Sequence, residues 1–190
     1  MTYNTSINWP PGLLSELTSF EQAIIRYRSL KVQQKETLNG SSVPDISRVP
    51  DSGRLLALDP GTRVIGIAVS DEKRFITTPL KPLKKTSWKN LLSETESIVA
   101  DYDAKALVVG LPLNTDGSES SMSMMARDMA RKFALSLSIP VFLQDERVTS
   151  YEARKRLWER GISPDMTKQF VDSEAASIIL SDFIDRLNNV

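Results

Sequence analysis

The sequence predicts an α/β domain built on a mixed five-stranded sheet flanked by helices, and three observations carry that prediction. Between Arg54 and Lys81, three short apolar runs follow one another too closely for helical crossovers, the mark of an antiparallel meander. From Ser87 onward, helical and strand patterns alternate, as parallel strands joined by crossovers require. Ala106-Leu107-Val108-Val109-Gly110-Leu111 is apolar without alternation, so both faces of that strand are covered.

Taken in order, Leu13, Leu17, Phe20, Ile24 and Tyr27 recur at helical spacing, and stretches 39–44 and 49–53 have turn composition. Residues 1–53 therefore read as a helical extension and linker, and 54–190 as the domain. Strands are expected over 54–59, 64–70 and about 75–81. Ser87 then caps a helix carrying Leu91, Thr95, Ile98 and Tyr102 on one face. After the buried strand, Asp116 and Glu119 are spaced as a capping box, opening a helix whose stripe is Met122, Met125, Met129, Phe133 and Leu137. The next strand, about 139–144, ends on Asp145-Glu146-Arg147. Thr149 and Glu152 are spaced as a second capping box, for a helix ending near Gly161. A last helix, about 167–187, has Asp172, Ala176, Ile179, Phe183 and Leu187 along one stripe.

Composition bounds the chemistry. The chain has 190 residues, enough for one well-packed core and an appendage. Lys+Arg and Asp+Glu balance at 24 each, so no global field draws the chain to a polyanion, and nucleic-acid binding must come from local patches or a metal. With neither Cys nor His, disulfides, thiolate catalysis, Ser-His-Asp schemes and the usual transition-metal ligands are excluded. Carboxylates, hydroxyls, Lys and Arg remain, a donor set for hard cations such as Mg²⁺ or Mn²⁺. No stretch approaches the roughly 20 apolar residues of a membrane span, and the chain reads as cytoplasmic, with no membrane partner.

Three carboxylates stand out. Asp59 ends the first strand, shares a face with Leu55 and Ala57, and precedes a Pro60-Gly61 turn. Glu146 ends the last predicted strand. Asp172 heads the apolar stripe of the last helix and is aimed inward, where a charge needs a partner. Read singly, Asp59 is a turn residue, and Asp172 reads equally well as a helix-start charge or as an inward ligand. Together, two strand ends and a helix bring three acids to the edge of the sheet where ligands gather. One or two Mg²⁺ or Mn²⁺ ions held there suit phosphodiester hydrolysis. Arg147, beside Glu146, and Arg63, just after the first acid, are the best placed to meet phosphates. Two basic clusters, Lys81, Lys84, Lys85 and Lys89 around Trp88, and Arg154, Lys155, Arg156 and Arg160, read either as solvated faces or as nucleic-acid contacts.

Four segments then carry a resemblance: Leu58-Asp59-Pro60-Gly61-Thr62 with 66–71, the stretch 109–119, Asp145-Glu146-Arg147-Val148-Thr149-Ser150, and Val171-Asp172-Ser173-Glu174-Ala175-Ala176. In order and at ordinary spacing, they resemble the motifs of the YqgF family, also called Holliday-junction-resolvase-like. The resemblance spans about residues 54–187 and implies an RNase H-like fold and a nuclease that processes the precursor of 16S ribosomal RNA, with the ribosomal precursor particle as a possible partner. It places the family's catalytic acids on Asp59, Glu146 and Asp172, and the loop with Asn114 beside the site. Pro60 departs from the family pattern toward that of true junction resolvases, which keeps branched DNA open as a substrate. A non-catalytic nucleic-acid-binding module is the third reading, and retention of all three acids argues against it. Asp59-Pro60-Gly61-Thr62 also resembles the first phosphate loop of actin-like ATPases, which need two such domains where this chain has room for one. Nothing in the sequence sets an oligomeric state.

Overall fold

The computed structural model describes residues 46–146 and 171–189, with the backbone alone at 171 and 172. The expected helix over 13–27, the helix from Thr149 to Gly161, Arg147 and the basic cluster at 154–160 lie outside the described residues. The strands are β1 (Leu55–Pro60), β2 (Val64–Ser70), β3 (Thr77–Pro79), β4 (Leu83–Lys84), β5 (Ala106–Leu111) and β6 (Val141–Asp145). The helices are α1 (Trp88–Asp101), α2 (Ser121–Ser136) and α3 (Val171–Asn188).

The five expected strands form one sheet in the order β3-β2-β1-β5-β6, with β4 as a two-residue addition paired to β2. Pairings from β3 to β1 are antiparallel, and those from β1 to β6 parallel, as expected of an RNase H-like sheet. β1 and β5 are buried on both faces, which is why their sequences are apolar without alternation.

Each face has its own core. Leu56, Leu58, Ile65, Ile67, Leu107, Val109 and Leu143 pack under α1 and α2, while Leu55, Ala57, Ala68, Val108 and Phe142 pack under α3. On α3, Ala176, Ile179 and Phe183 are buried as the stripe predicts, and Phe183 meets Phe142 with ring centroids 5.6 Å apart. Val49 is also buried in the α3-side core, so residues that read as linker already contribute to packing. Arg74 holds that entry segment in place by donating to the carbonyls of Pro50 and Gly53.

Three local expectations are corrected. The third strand is shorter and interrupted. Asp71 accepts from the backbone N–H groups of Lys73 and Ile76, closing a loop that leaves Phe75 and Ile76 exposed. Pro82 has no N–H for the ladder, so pairing stops after Leu80 and resumes as β4. The Ile67 N–H, at this break, finds Ser173 Oγ on α3 at 3.4 Å. The cap of α2 is Ser120, in a reciprocal box with Ser123, rather than Asp116 with Glu119. Asp116 is already committed to Ser118 within its turn, and Glu119 pairs with Arg127. The buried stripe of α2 is rotated accordingly: Met129, Phe133 and Leu137 are inside with Ala126, Ala130 and Ala134, while Met122 and Met125 are half-buried.

Candidate active site

The site follows from strand direction. β1, β5 and β6 all run toward one edge of the sheet, so their carboxyl ends bring Asp59, Gly110 and Glu146 to that edge. Parity then selects the face. Asp59 follows Leu55 and Ala57, Gly110 follows Val108, and Glu146 follows Phe142, all on the side covered by α3.

Asp59 is half-buried, next to last in β1, and opposite Gly66. The turn after it is tight, because a Cβ on Gly61 would overlap the Val64 carbonyl oxygen. Glu146 follows β6 directly, its N–H donating to the Leu111 carbonyl at 3.2 Å. Its side chain folds back over β5. A Cβ on Gly110 would overlap Glu146 Oε1 and lie 2.8 Å from Ile179 Cδ1, so the absence of a side chain at Gly110 makes the recess in which the carboxylate lies.

That recess is hostile to charge. Burial, and after it the negative charges of Asp59 and Asp145, push the Glu146 carboxyl from 4.5 up to about 8. Among the described residues Glu146 Oε1 is buried with no hydrogen-bond partner, as is Oε1 of Gln144 on the same face. A buried carboxylate oxygen without a donor, close to two further acids, is the environment in which a hard cation replaces missing hydrogen bonds. In a chain without His or Cys the available ligands are oxygens, so the donor set fits Mg²⁺ or Mn²⁺.

The structure brings Asp59 and Glu146 together. Asp172 belongs to the first turn of α3, and its neighbour Ser173 sits on β2 at Ile67, one residue from the partner of Asp59. The backbone of residue 172 thus begins the helix that crosses this face, while its side chain is outside those described. Among the described residues no three acidic side chains form a metal-sized cluster. Arg63 is exposed in the turn between β1 and β2, at the same edge. Asn114 lies in the loop after β5, also at this edge, with its side-chain amide donating to Ser118 Oγ at 2.9 Å. Arg147, the remaining expected phosphate contact, is outside the described residues.

Gly110 and Gln144 are the site features that the sequence reading did not single out. A glycine interrupting an otherwise aliphatic buried strand was the available signal, since it marks close approach by another group.

The model of a family described as "RuvX: Holliday junction resolvase" matches residues 53–186. A protein of Roseiflexus sp. (strain RS-1) named "Putative pre-16S rRNA nuclease" is 35% identical over 135 residues, 71% of this chain and 96% of its own. Proteins with the same name from Anaeromyxobacter dehalogenans and Novosphingobium aromaticivorans are 40% and 38% identical, over 70% and 72% of this chain and 97% and 88% of theirs. The matched segment contains the whole sheet, all three helices but the last residues of α3, and each of the expected acids. The chain therefore belongs to the RuvX family, the family its four motifs resemble.

Proposed function

We propose that this protein is a divalent-metal-dependent nuclease that hydrolyses phosphodiester bonds in structured RNA, with the 16S ribosomal RNA precursor as its substrate in the cytoplasm. The observation that carries the reading is the Glu146 carboxyl, whose buried Oε1 has no donor among the described residues, beside Asp59 at the carboxyl edge of the parallel strands. Asp59, Glu146 and Asp172 are the proposed catalytic acids and metal ligands.

Mg²⁺ or Mn²⁺ bound by these acids would supply an activated water and charge to steady the leaving oxygen. The protein's own groups do the rest. Asp59, fixed by the Pro60-Gly61 turn, presents its carboxylate at the rim. Glu146, raised to about 8, holds a proton at neutral pH without a cation and would release it in order to bind one. Arg63, Asn114 and Arg147 orient the phosphates that flank the scissile bond, and α3 with Ile179 closes the face behind the acids against water.

The names of the curated relatives favour RNA, and the family's description favours a four-way DNA junction as the second reading. A parallel assay of precursor 16S rRNA and a four-way junction, with Mg²⁺ or Mn²⁺ and Asp59→Asn as control, decides between them. Cleavage of the RNA by wild type and not by the variant is expected. Preferential symmetric cleavage of the junction selects the second reading, and equal activity of Asp59→Asn removes both.

A further inference from the structure

A row of cations stands at the same sheet edge as the acids, displaced to one side. β4 pairs Lys84 with Val64 and Leu83 with Ile65, and the Lys85 N–H donates to the Arg63 carbonyl at 3.0 Å. This ties the chain at 83–85 to the upper end of β2, level with the turn that follows Asp59. Two residues later Ser87 caps α1, whose first turn carries Lys89. Arg63, Lys84 and Lys89 are exposed, and among the described residues no carboxylate pairs with any of them. Lys85 is half-buried, with its ammonium 2.7 Å from Met125 Sδ on α2, a weak acceptor that leaves its other donors for an anion.

Several cations elsewhere in the described fold are spoken for: Lys105 by Asp103, Arg127 by Glu119, Arg131 and Lys132 by Asp128, and Arg74 by backbone carbonyls. Trp88, amid the lysines, is used in packing, its ring 4.8 Å from that of Phe133. The cluster is therefore a set of charges without an aromatic platform, suited to phosphates rather than to bases.

We propose that Arg63, Lys84, Lys85 and Lys89 form a track for the nucleic-acid backbone on the β2–β4 side of the acids, gripping phosphates beyond the scissile one. The inference rests on the nuclease reading for the position of the scissile bond. Strands in a sheet lie about 4.8 Å apart, so β4 is displaced by about 10 Å from the strand that carries Asp59. A substrate ending at the scissile phosphate does not reach the track; one extending a few nucleotides past it does.

The test is fluorescence anisotropy with a labelled, mixed-sequence RNA hairpin carrying a single-stranded extension, in EDTA so that binding is read without cleavage. Wild type, Lys84→Gln/Lys89→Gln and Lys73→Gln are compared across a salt series. Lys73 is exposed in the loop at the opposite edge. The double variant is expected to bind about 3- to 10-fold more weakly at low salt, with a log Kd against log salt slope smaller by about 1.4 and no dependence on sequence. Lys73→Gln should match wild type. Equal affinity and slope for wild type and double variant overturn the track, as does an equal loss in Lys73→Gln. A cleavage assay run beside it separates the two ideas. Cleavage with an unchanged salt slope in the double variant removes the track alone, and lysine-dependent binding without cleavage by wild type removes the nuclease reading alone.

Discussion

Glu146 is ionised at neutral pH in an unfolded chain and protonated in the metal-free fold. Raising a carboxyl from 4.5 to about 8 means that folding disfavours its ionised form by on the order of 5 kcal/mol. The sign follows from proton counting. Below about 4.5 both states hold the proton and the group is neutral for stability. Between about 4.5 and 8 the folded state binds the extra proton, so stability falls as pH rises through this window. In EDTA, wild type should lose stability to urea from pH 5 to 8, and Glu146→Gln should lose much less and be the more stable protein at pH 8. Parallel pH profiles for the two proteins would show that Glu146 is not the buried acid. Gly110 makes a companion prediction, because an added methyl meets Glu146 and Ile179 at once. Gly110→Ala should cost about 1–3 kcal/mol in denaturant unfolding and reduce nuclease activity together with it. The two residues differ in how far the sequence announced them. An acid at the end of an apolar run before Pro-Gly is visible in one dimension. The need for a glycine at 110 depends on a side chain 36 positions later folding across from a neighbouring strand.

At the scale of elements, apolar periodicity located most of the strands and helices, and competing polar contacts decided where they begin and end. Asp116-x-x-Glu119 and Ser120-x-x-Ser123 both satisfy cap chemistry by spacing. The structure uses the second because Asp116 closes its own turn around Gly117, at φ +85°, and Glu119 reaches Arg127 instead. Ser120→Ala should therefore cost about 1 kcal/mol of stability, whereas Glu119→Ala, which removes an exposed ion pair, should cost less than about half of that. Thermal unfolding of the two variants checks the assignment, and a reversed order would return the cap to Asp116 and Glu119. The interrupted third strand has a similar origin. Phe75 and Ile76 look like strand residues, but Asp71 takes the Ile76 N–H for the loop, and Pro82 contributes no donor further on. Propensity alone could not weigh a side-chain acceptor five residues away.

Across the whole molecule, a chain of zero net charge separates its charges along one edge of the sheet, with Asp59, Asp145 and Glu146 over β1 and β6 and the cations of the proposed track over β2 and β4. An edge of this kind couples folding to metal, since a ligand bound by the folded state alone stabilises it by RT ln(1 + [L]/Kd). Mn²⁺ at about 100 times its Kd at pH 8 should contribute about 2.7 kcal/mol, a rise in Tm of roughly 8 °C for a domain of this size. Because the ion must displace the Glu146 proton, apparent affinity falls about tenfold per pH unit below about 8. At pH 6 and the same Mn²⁺ concentration, the stabilisation should shrink below about 1 kcal/mol. Scanning calorimetry at both pH values, with and without Mn²⁺, reads this directly, and Asp59→Asn should remove most of the shift at pH 8. A Tm increment equal at pH 6 and pH 8 would mean that the ion binds without Glu146, and the proposed division of labour between the strand-end acids would have to be abandoned.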